Sequence, residues 1–530
     1  MVVIFDAVIG DDLTREAGTQ VERGGMPAIR RDRRRRLSTL AVPLAGLSAM
    51  VTAAILAGWG IGFGLPFLFR PDEEVVVGRA VRMAVEGSLD PLFSNWPPLV
   101  FYVVALALKL TGNVAAAAGG DPSGAYLTAR VISAAAFVAT VGLVFLGARR
   151  AYGDAAGILA ALMTALSPLA VRQAHMGTID GFETMLVAGA LLAGIVARRP
   201  RVFALAGALC GLAAAAKFTG GLSLVFVLAM ALQTELRVRL CAAAVGGAAV
   251  AFLIAGSVMF LHPAAYADGL AYLGRRGYAS DYGTSLGWFY HPVLTLPFGL
   301  GLGAYALALG GLAAALRRRG PVDLGLAAFV LAYLLLIGAS REVFWRYLLP
   351  LIPALAILGG GLLPAIPRRL TGLALGIGLL LLLPSLWASA SGDRLLAATD
   401  TRRLAASWLE QNAPAGASIQ ASYYVSPFYD QAMVDQNRRW VDDPLAAGFM
   451  QGRYTTRYRM VDGDADYLVV GSKVPGQGPP GPVAGRPLLA TFSPGTAEGG
   501  VYDPIDSFYV PIWGFGELER AGPTILIYGR

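Results

Sequence analysis

Charge is scarce in this chain. Asp, Glu, Lys and Arg make up only 15% of its 530 residues, against about 25% in a soluble globular protein. Cysteine is nearly missing. Cys210 and Cys241 both lie in or beside apolar stretches, which excludes a disulfide framework and a cysteine-rich metal site. Histidine occurs only as His175, His262 and His291, without the tight spacing of a histidine metal motif. The N-terminal stretch does not read as a cleavable leader. The basic cluster Arg30 to Arg36 follows a polar stretch, and the apolar run behind it is too long for a signal segment. Residues 1–36 are therefore expected to be a cytoplasmic basic tail, mostly disordered.

What the chain has in excess is apolar sequence: 56% of its residues are hydrophobic. They gather in runs of roughly 17 to 25 residues, the length that crosses about 30 Å of hydrocarbon. The net charge of +8 does not point to nucleic acid, because the basic residues form short clusters between those runs. Placing the clusters Arg33 to Arg36, Arg149-Arg150, Arg198 to Arg201, Arg237 with Arg239, Arg317 to Arg319 and Arg368-Arg369 inside orients the chain. The expected spans are 37–63, 126–149, 156–171, 181–197, 202–217, 219–233, 240–261, 292–316, 322–339, 347–366 and 370–389, eleven in all. Pro97 to Leu110 is apolar but short, and counting it as a crossing would put Arg149-Arg150 outside. It reads as a helix on the outer surface.

This threading predicts a polytopic helical membrane protein with long outer loops at 64–125 and 262–291, the transmembrane part covering 37–390. In the first loop, Val77, Val81 and Ala84 share one helical face and Arg79, Arg82 and Glu86 the other, which predicts an interfacial amphipathic helix over Glu73 to Glu86. After Ser389 the composition turns polar. A helix over Thr401 to Gln411, strands at Ser418 to Tyr424, Tyr467 to Val470 and Thr524 to Tyr528, and a loop at Pro475 to Pro482 predict a soluble α/β domain over 391–530. An odd number of crossings places that domain outside the cytoplasm.

The candidate site residues fall on the outer side. His175, His262, His291, Asp72, Glu73, Glu74, Asp180, Glu183, Asp281 and Glu342 all lie at outer span ends or in outer loops. Asp72 and Glu73 follow the first span. A carboxylate there can accept a proton from a hydroxyl or amine, or it can simply cap the helix. Asp180, in the stretch Arg172 to Asp180, can cap the next span, hold an acceptor or join His175 at a cation. His262 ends a span and can be an interfacial histidine. Arg341 and Arg346 run against the positive-inside trend. Arginine suits bidentate phosphate binding, but a salt bridge to Glu342 or a lipid headgroup is the plainer role. Lys217 is a second candidate phosphate partner.

Pro71-Asp72-Glu73 after the first span, the amphipathic helix, and Asn95 to Leu99 leading into an apolar interfacial helix resemble the first outer loop of polyprenyl-phosphate-sugar-dependent membrane glycosyltransferases of the C-type fold. The aminoarabinose (lipid A) transferases and protein O-mannosyltransferases are the groups it is most similar to. Arg172 to Asp180, Lys217 and Arg346 to Pro350 resemble later landmarks, so the likeness spans residues 37–390. It implies an inverting transferase that moves a hexosyl or pentosyl group from a polyprenyl-phosphate donor to a protein, lipid or glycan acceptor at the outer face of a bacterial-type inner membrane. By position, Asp72 would be the catalytic base. Arg346, Lys217, Arg341 and Tyr347 would face the donor phosphate. Glu73, Asp180 and Asn95 would support the acceptor or the loop. A divalent cation is the one cofactor implied, with His262 and His175 as the residues to meet it.

Asn95 and Trp96 depart from the acidic and basic residues that aminoarabinose transferases carry there. Asn is a poorer cation ligand than a carboxylate, which weakens the case for a metal. Two other classes remain open from the residues alone. A transporter or flippase would show internal repeats and midplane charges, and no repeat is evident here. A non-catalytic envelope assembly protein would use its C-terminal domain to bind a partner.

Overall fold

The computed structural model describes residues 28–67, 69, 71–118, 121–278, 286–422, 425–437, 452–471, 483, 485–497, 499–506 and 509–530. The tail up to residue 27, Asp281 and the expected loop Pro475 to Pro482 lie outside these residues. Residues 1–45 and 46–530 are two compact units. The first described helix, Ala28–Gly58, contains the end of one and the start of the other. It begins earlier than the expected Leu37, because the run Arg30 to Arg36 is itself built from good helix formers.

Among the described residues, six helices are long and apolar enough to cross a membrane, or up to eight if each of two bent pairs counts once. The bent pairs are Asp154–Ala165 with Pro168–Ala174, and Gly287–Leu300 with Leu302–Arg318. Three of the eleven expected spans fall on shorter apolar helices, Pro200–Ala216, Phe218–Leu232 and Leu351–Ala365. The expected surface helix is Leu99–Thr111, with Val100, Phe101, Val104 and Leu108 buried and Leu106 and Leu110 exposed. The helix Pro200–Ala216 packs closely on Arg237–Ala255, since a side chain at Gly211 would collide with the Ala248 carbonyl. Small residues permit such approach between apolar helices.

The first-loop helix runs over Pro71–Glu86. Proline suits its first position, and Asp72, Glu73 and Glu74 favour the positive end of its dipole. The expected polar face is corrected in part: Arg79 is buried along with Val76, Val77, Ala80 and Val81, whereas Arg82 is half-buried and Glu86 exposed, so the helix is enclosed on both faces only over its first turns.

The C-terminal region contains seven strands among the described residues: β1 (Ser418–Ala421), β2 (Phe428–Tyr429), β3 (Arg453–Tyr454), β4 (Arg459–Met460), β5 (Tyr467–Gly471), β6 (Leu488–Phe492) and β7 (Ile525–Tyr528). Five form a mixed sheet in the order β4-β1-β5-β7-β6, and β2 pairs with β3. β1 is parallel to β4 and β5, while β7 is antiparallel to β5 and β6. The expected strand Ser418 to Tyr424 is shorter here, and Tyr423 and Tyr424 lie outside the described residues. The helix Thr401–Asn412 covers the sheet through Ala405, Ala406 and Leu409. Asp400 caps that helix by accepting the Arg402 amide.

Phe67 and Phe69 of the first loop belong to this same core, beside Ile419, Val425, Phe428, Ile525 and Ile527. Burying each ring is worth about 1.5–3 kcal/mol. The Arg402 guanidinium sits 3.7 Å over the Phe69 ring, clamped by Asp400 at 2.8 Å. The sheet core thus anchors the chain three residues before Asp72.

Candidate active site

Of the three carboxylates in the first turn of the helix Pro71–Glu86, Asp72 and Glu73 face different partners. Glu73 is fully buried. Its Oε1 accepts from Arg130 Nε at 2.8 Å and from the Gly177 amide at 2.6 Å, and its Oε2 accepts from Arg130 Nη2 at 2.9 Å. Arg130 also donates to the carbonyls of Ile61 and Phe63, at 2.9 and 2.8 Å. Gly177 has to be glycine, because an added Cβ would stand 2.7 Å from that of Ala129. Glu73 therefore ties the first loop to the helix Ser123–Tyr152 and to the turn before Ile179–Val196, and both of its oxygens are engaged.

Asp72 is one residue away and 27% exposed. Its Oδ2 accepts from Arg346 Nη1 at 2.6 Å. The helix starts at Pro71, so Asp72 lies in its first turn and is not the cap that the plainer reading expected. Asp180 has likewise lost its capping alternative. Thr178 holds the N-cap position of the helix Ile179–Val196, without a side-chain capping hydrogen bond, and the Asp180 carboxylate turns to Lys217, with Oδ1 2.7 Å from Nζ. Its Oδ2 stands 4.0 Å from Arg346 Nε. Lys217 follows Pro200–Ala216 and lies 4.3 Å from the Tyr347 ring centre, a cation–π contact. The Arg346 guanidinium lies 4.4 Å over Phe344.

Arg346, Lys217, Tyr347, Asp72 and Asp180 thus come together although the sequence separates them widely. Burial opposes the charge of Arg346, but Asp72 and then Asp180 outweigh it and hold its pKa above the ordinary arginine value. Beneath the pair, Glu183 accepts from the Thr219 hydroxyl at 2.6 Å.

Two residues of this site, Asp506 and Asp503, had no mark in the sequence, and Arg172 was marked only as the start of the stretch that leads to Asp180. Asp506 Oδ2 accepts from Arg346 Nη1 at 2.8 Å. Asp503 Oδ2 accepts the Trp345 amide at 3.1 Å. Burial pushes the Asp503 carboxyl up from its ordinary value, against the pull of Arg172. Arg172 donates Nη2 to the Asp506 carbonyl at 2.6 Å and Nη1 to the Val510 carbonyl at 2.9 Å. Only the density of Asp in Val501 to Asp506 could have drawn attention to that stretch.

Other expected residues sit elsewhere. Arg341 is exposed, and its amide donates to the Gly277 carbonyl at 2.7 Å. Asn95 lies against Gly269 of the helix Pro263–Tyr278, with Oδ1 3.1 Å from where a Cβ would be. His262 meets Asp90 at 3.0 Å, and half its side chain is exposed.

His175 is a correction. Both ring nitrogens face carbonyls, Nδ1 that of Val171 at 2.9 Å and Nε2 that of Trp59 at 3.0 Å, and Asp393 stands 3.6 Å off. No nitrogen of His175 remains for a cation. Among the described residues, no group of three or more His, Cys, Asp or Glu is placed to hold a metal ion. The expected sites at His175 and His262 do not fit a divalent metal, and no step below is routed through one.

Comparison with known proteins bears on this arrangement. The profile of the dolichyl-phosphate-mannose-protein mannosyltransferase family matches residues 95–262. Curated proteins gave no match. Among solved structures, ArnT from Cupriavidus metallidurans, in complex with undecaprenyl phosphate, aligns at 19% identity over 68% of this chain and 72% of its own, with a TM-score of 0.50. An Archaeoglobus fulgidus oligosaccharyltransferase tethered to an acceptor peptide aligns at 13% identity over 78% of this chain and 63% of its own, with a TM-score of 0.49. The Saccharomyces cerevisiae protein O-mannosyltransferase complex Pmt1-Pmt2, bound to its sugar donor, aligns at 16% identity over 43% of this chain and 34% of its own, with a TM-score of 0.34. The likeness to ArnT and the family profile together give this chain the C-type glycosyltransferase fold.

Proposed function

We propose that the chain is an inverting glycosyltransferase that moves a sugar from a polyprenyl-phosphate donor to an acceptor at the outer face of the membrane. The observation that carries this reading is the contact of Asp72 with Arg346, 2.6 Å apart, with Lys217 and Asp180 beside them. A half-accessible carboxylate next to a guanidinium and an ammonium is what the chemistry requires. Asp72 takes the proton from the acceptor hydroxyl or amine as that atom attacks the anomeric carbon. The bond from the anomeric carbon to the phosphate oxygen breaks, and its electron pair leaves with the lipid phosphate. Arg346 and Lys217 neutralise the charge that develops there. Tyr347 and Asp180 hold Lys217 in place. Attack opposite the leaving phosphate inverts the anomeric centre.

In the same reading the chain crosses the bacterial-type inner membrane eleven times, with the basic tail 1–36 in the cytoplasm and residues 391–530 outside. The sugar is a hexosyl or pentosyl group, and the acceptor is a protein, a lipid or a glycan. The match to ArnT, whose structure holds undecaprenyl phosphate, supports a polyprenyl phosphate as the lipid part of the donor.

The test uses the full chain in lipid nanodiscs with lipid-linked sugars extracted from membranes of the source cells. Release of free polyprenyl phosphate is followed by mass spectrometry. Asp72→Asn should slow release by about 10²–10⁴-fold, the usual share of a general base, at unchanged yield of folded protein. Near-normal release by that variant would remove Asp72 from the role. Absence of any polyprenyl lipid in the purified protein, together with no release, would overturn the function.

A further inference from the structure

Arg346 is held by a carboxylate that the proposed chemistry does not use. Its Nη1 donates to Asp72 at 2.6 Å and to Asp506 at 2.8 Å, so both hydrogens of that nitrogen are engaged. Asp506 comes from the C-terminal region, 160 positions along the chain. The turn that carries it is fastened on both sides. Asp503 Oδ1 accepts the amides of Ile505 and Asp506 at 3.0 and 2.9 Å, while its Oδ2 holds the Trp345 amide next to Arg346. Arg172 grips the Asp506 and Val510 carbonyls from the other side. The backbone is thus pinned independently of the Asp506 side chain, and that side chain can swing away without unfastening the turn.

A carboxylate and a phosphate compete for the same edge of a guanidinium. We propose that Asp506 is a resident stand-in for the donor phosphate, and that the lipid phosphate enters the site by displacing its carboxylate from Arg346. The proposal rests on the reading of Arg346 as the phosphate partner. Asp72 is the carboxylate that stays, because it has to meet the acceptor. Two carboxylates and a phosphate around one guanidinium would leave uncompensated negative charge, and Asp506 is the one that can leave. Asp506 then acts as a specificity-determining residue. With it in place, an anionic lipid gains Arg346 only if it binds well enough to expel a built-in competitor. The apparent affinity of every such lipid is lowered by the fraction of molecules in which Arg346 is free.

The experiment titrates undecaprenyl phosphate into the full chain in phosphatidylcholine nanodiscs. Asp506→Asn keeps the shape and removes the charge. It should tighten binding roughly tenfold, the scale of one competing charge-assisted contact. A merely structural role for Asp506 would weaken binding, and unchanged or weaker binding in a variant of wild-type thermal stability overturns the proposal. Arg346→Ala separates the two layers. If it binds the lipid as the wild type does, the phosphate reading of Arg346 fails, and the proposal with it. A second variant keeps the test decisive if Asp506→Asn is unstable. Asp506→Ala removes the competing carboxylate altogether and should tighten binding in the same way, and unchanged or weaker binding overturns displacement.

Discussion

Asp72 and Glu73 are neighbours in one helical turn, yet they belong to two different kinds of site. Around Glu73 both carboxylate oxygens and every Arg130 nitrogen have a partner. Arg130 meets it with two parallel hydrogen bonds, Gly177 adds a third, and the remaining donors of Arg130 reach the carbonyls of Ile61 and Phe63. Around Asp72 the balance is unequal. A single Arg346 nitrogen is shared by Asp72 and Asp506, with Asp180 at 4.0 Å from the same guanidinium. A buried pair with all its partners is a strut, since moving any member leaves a charge unmatched in a dry interior. A crowded cation with too many carboxylates is a place where one anion can replace another. The strut positions the turn, and the crowded cluster is where the proposed displacement of Asp506 would take place.

The largest effect expected from this contrast is on stability. Glu73→Ala leaves the Arg130 guanidinium buried without its counter-charge, which costs about 3–5 kcal/mol. The thermal inactivation midpoint of the purified protein should fall by many degrees, or folded protein should fail to accumulate. Asp72→Asn, one residue away and open to solvent, should leave that midpoint nearly unchanged while it removes transfer. Equal destabilisation by the two substitutions would break the comparison, because Asp72 would then be a strut as well.

A middle-sized effect tests the cluster itself. Lys217→Met strands the Asp180 carboxylate, and Asp180→Asn strands the ammonium. Each should cost about 1–3 kcal/mol, the penalty for a buried charged partner left unmet. Combined in one chain, the two should cost less than their sum, because the pair is 2.7 Å apart and each change removes the reason for the other's penalty. Binding of undecaprenyl phosphate, in contrast, should stay weak in the double variant. Recovery of binding along with stability would mean that Lys217 serves only Asp180.

The sequence carried the broad plan of the fold because hydropathy is local. Apolar runs, basic clusters and the polar turn after Ser389 can each be read without knowing what touches what. It also carried Asp72, Arg346, Lys217, Tyr347 and Asp180 as chemically suitable groups. It could not carry their partners. Glu73 and Arg130 are 57 positions apart, and nothing in the pattern around Arg130 separates it from any arginine near a span end. Arg79 was assigned to a polar face because periodicity records the alternation of residue types and not the second wall that encloses them. His175 looked like a ligand because its carbonyl partners are backbone atoms, and backbone leaves no trace in residue identity. Asp506 was missed for the opposite reason: it sits in a polar stretch where an aspartate draws no notice, and its role comes only from the return of the C-terminal region to Arg346.

The smallest effect sharpens the contrast from outside both sites. His262 and Asp90 form an ion-pair geometry only slightly longer than those above, 3.0 Å, but half of the His262 side chain is in the open. Solvent there answers either charge once its partner is removed, so distance alone should not decide the outcome. His262→Ala is expected to change stability by no more than about 1 kcal/mol, the range of exposed pairs. It should also leave undecaprenyl phosphate binding and sugar transfer intact, since the pair shares no contact with Arg346 or Lys217. Parallel thermal inactivation and lipid titration of this variant check both points. A loss of transfer at unchanged stability would make His262 part of the acceptor's path, and the crowded cluster at Arg346 would then be only half of the site.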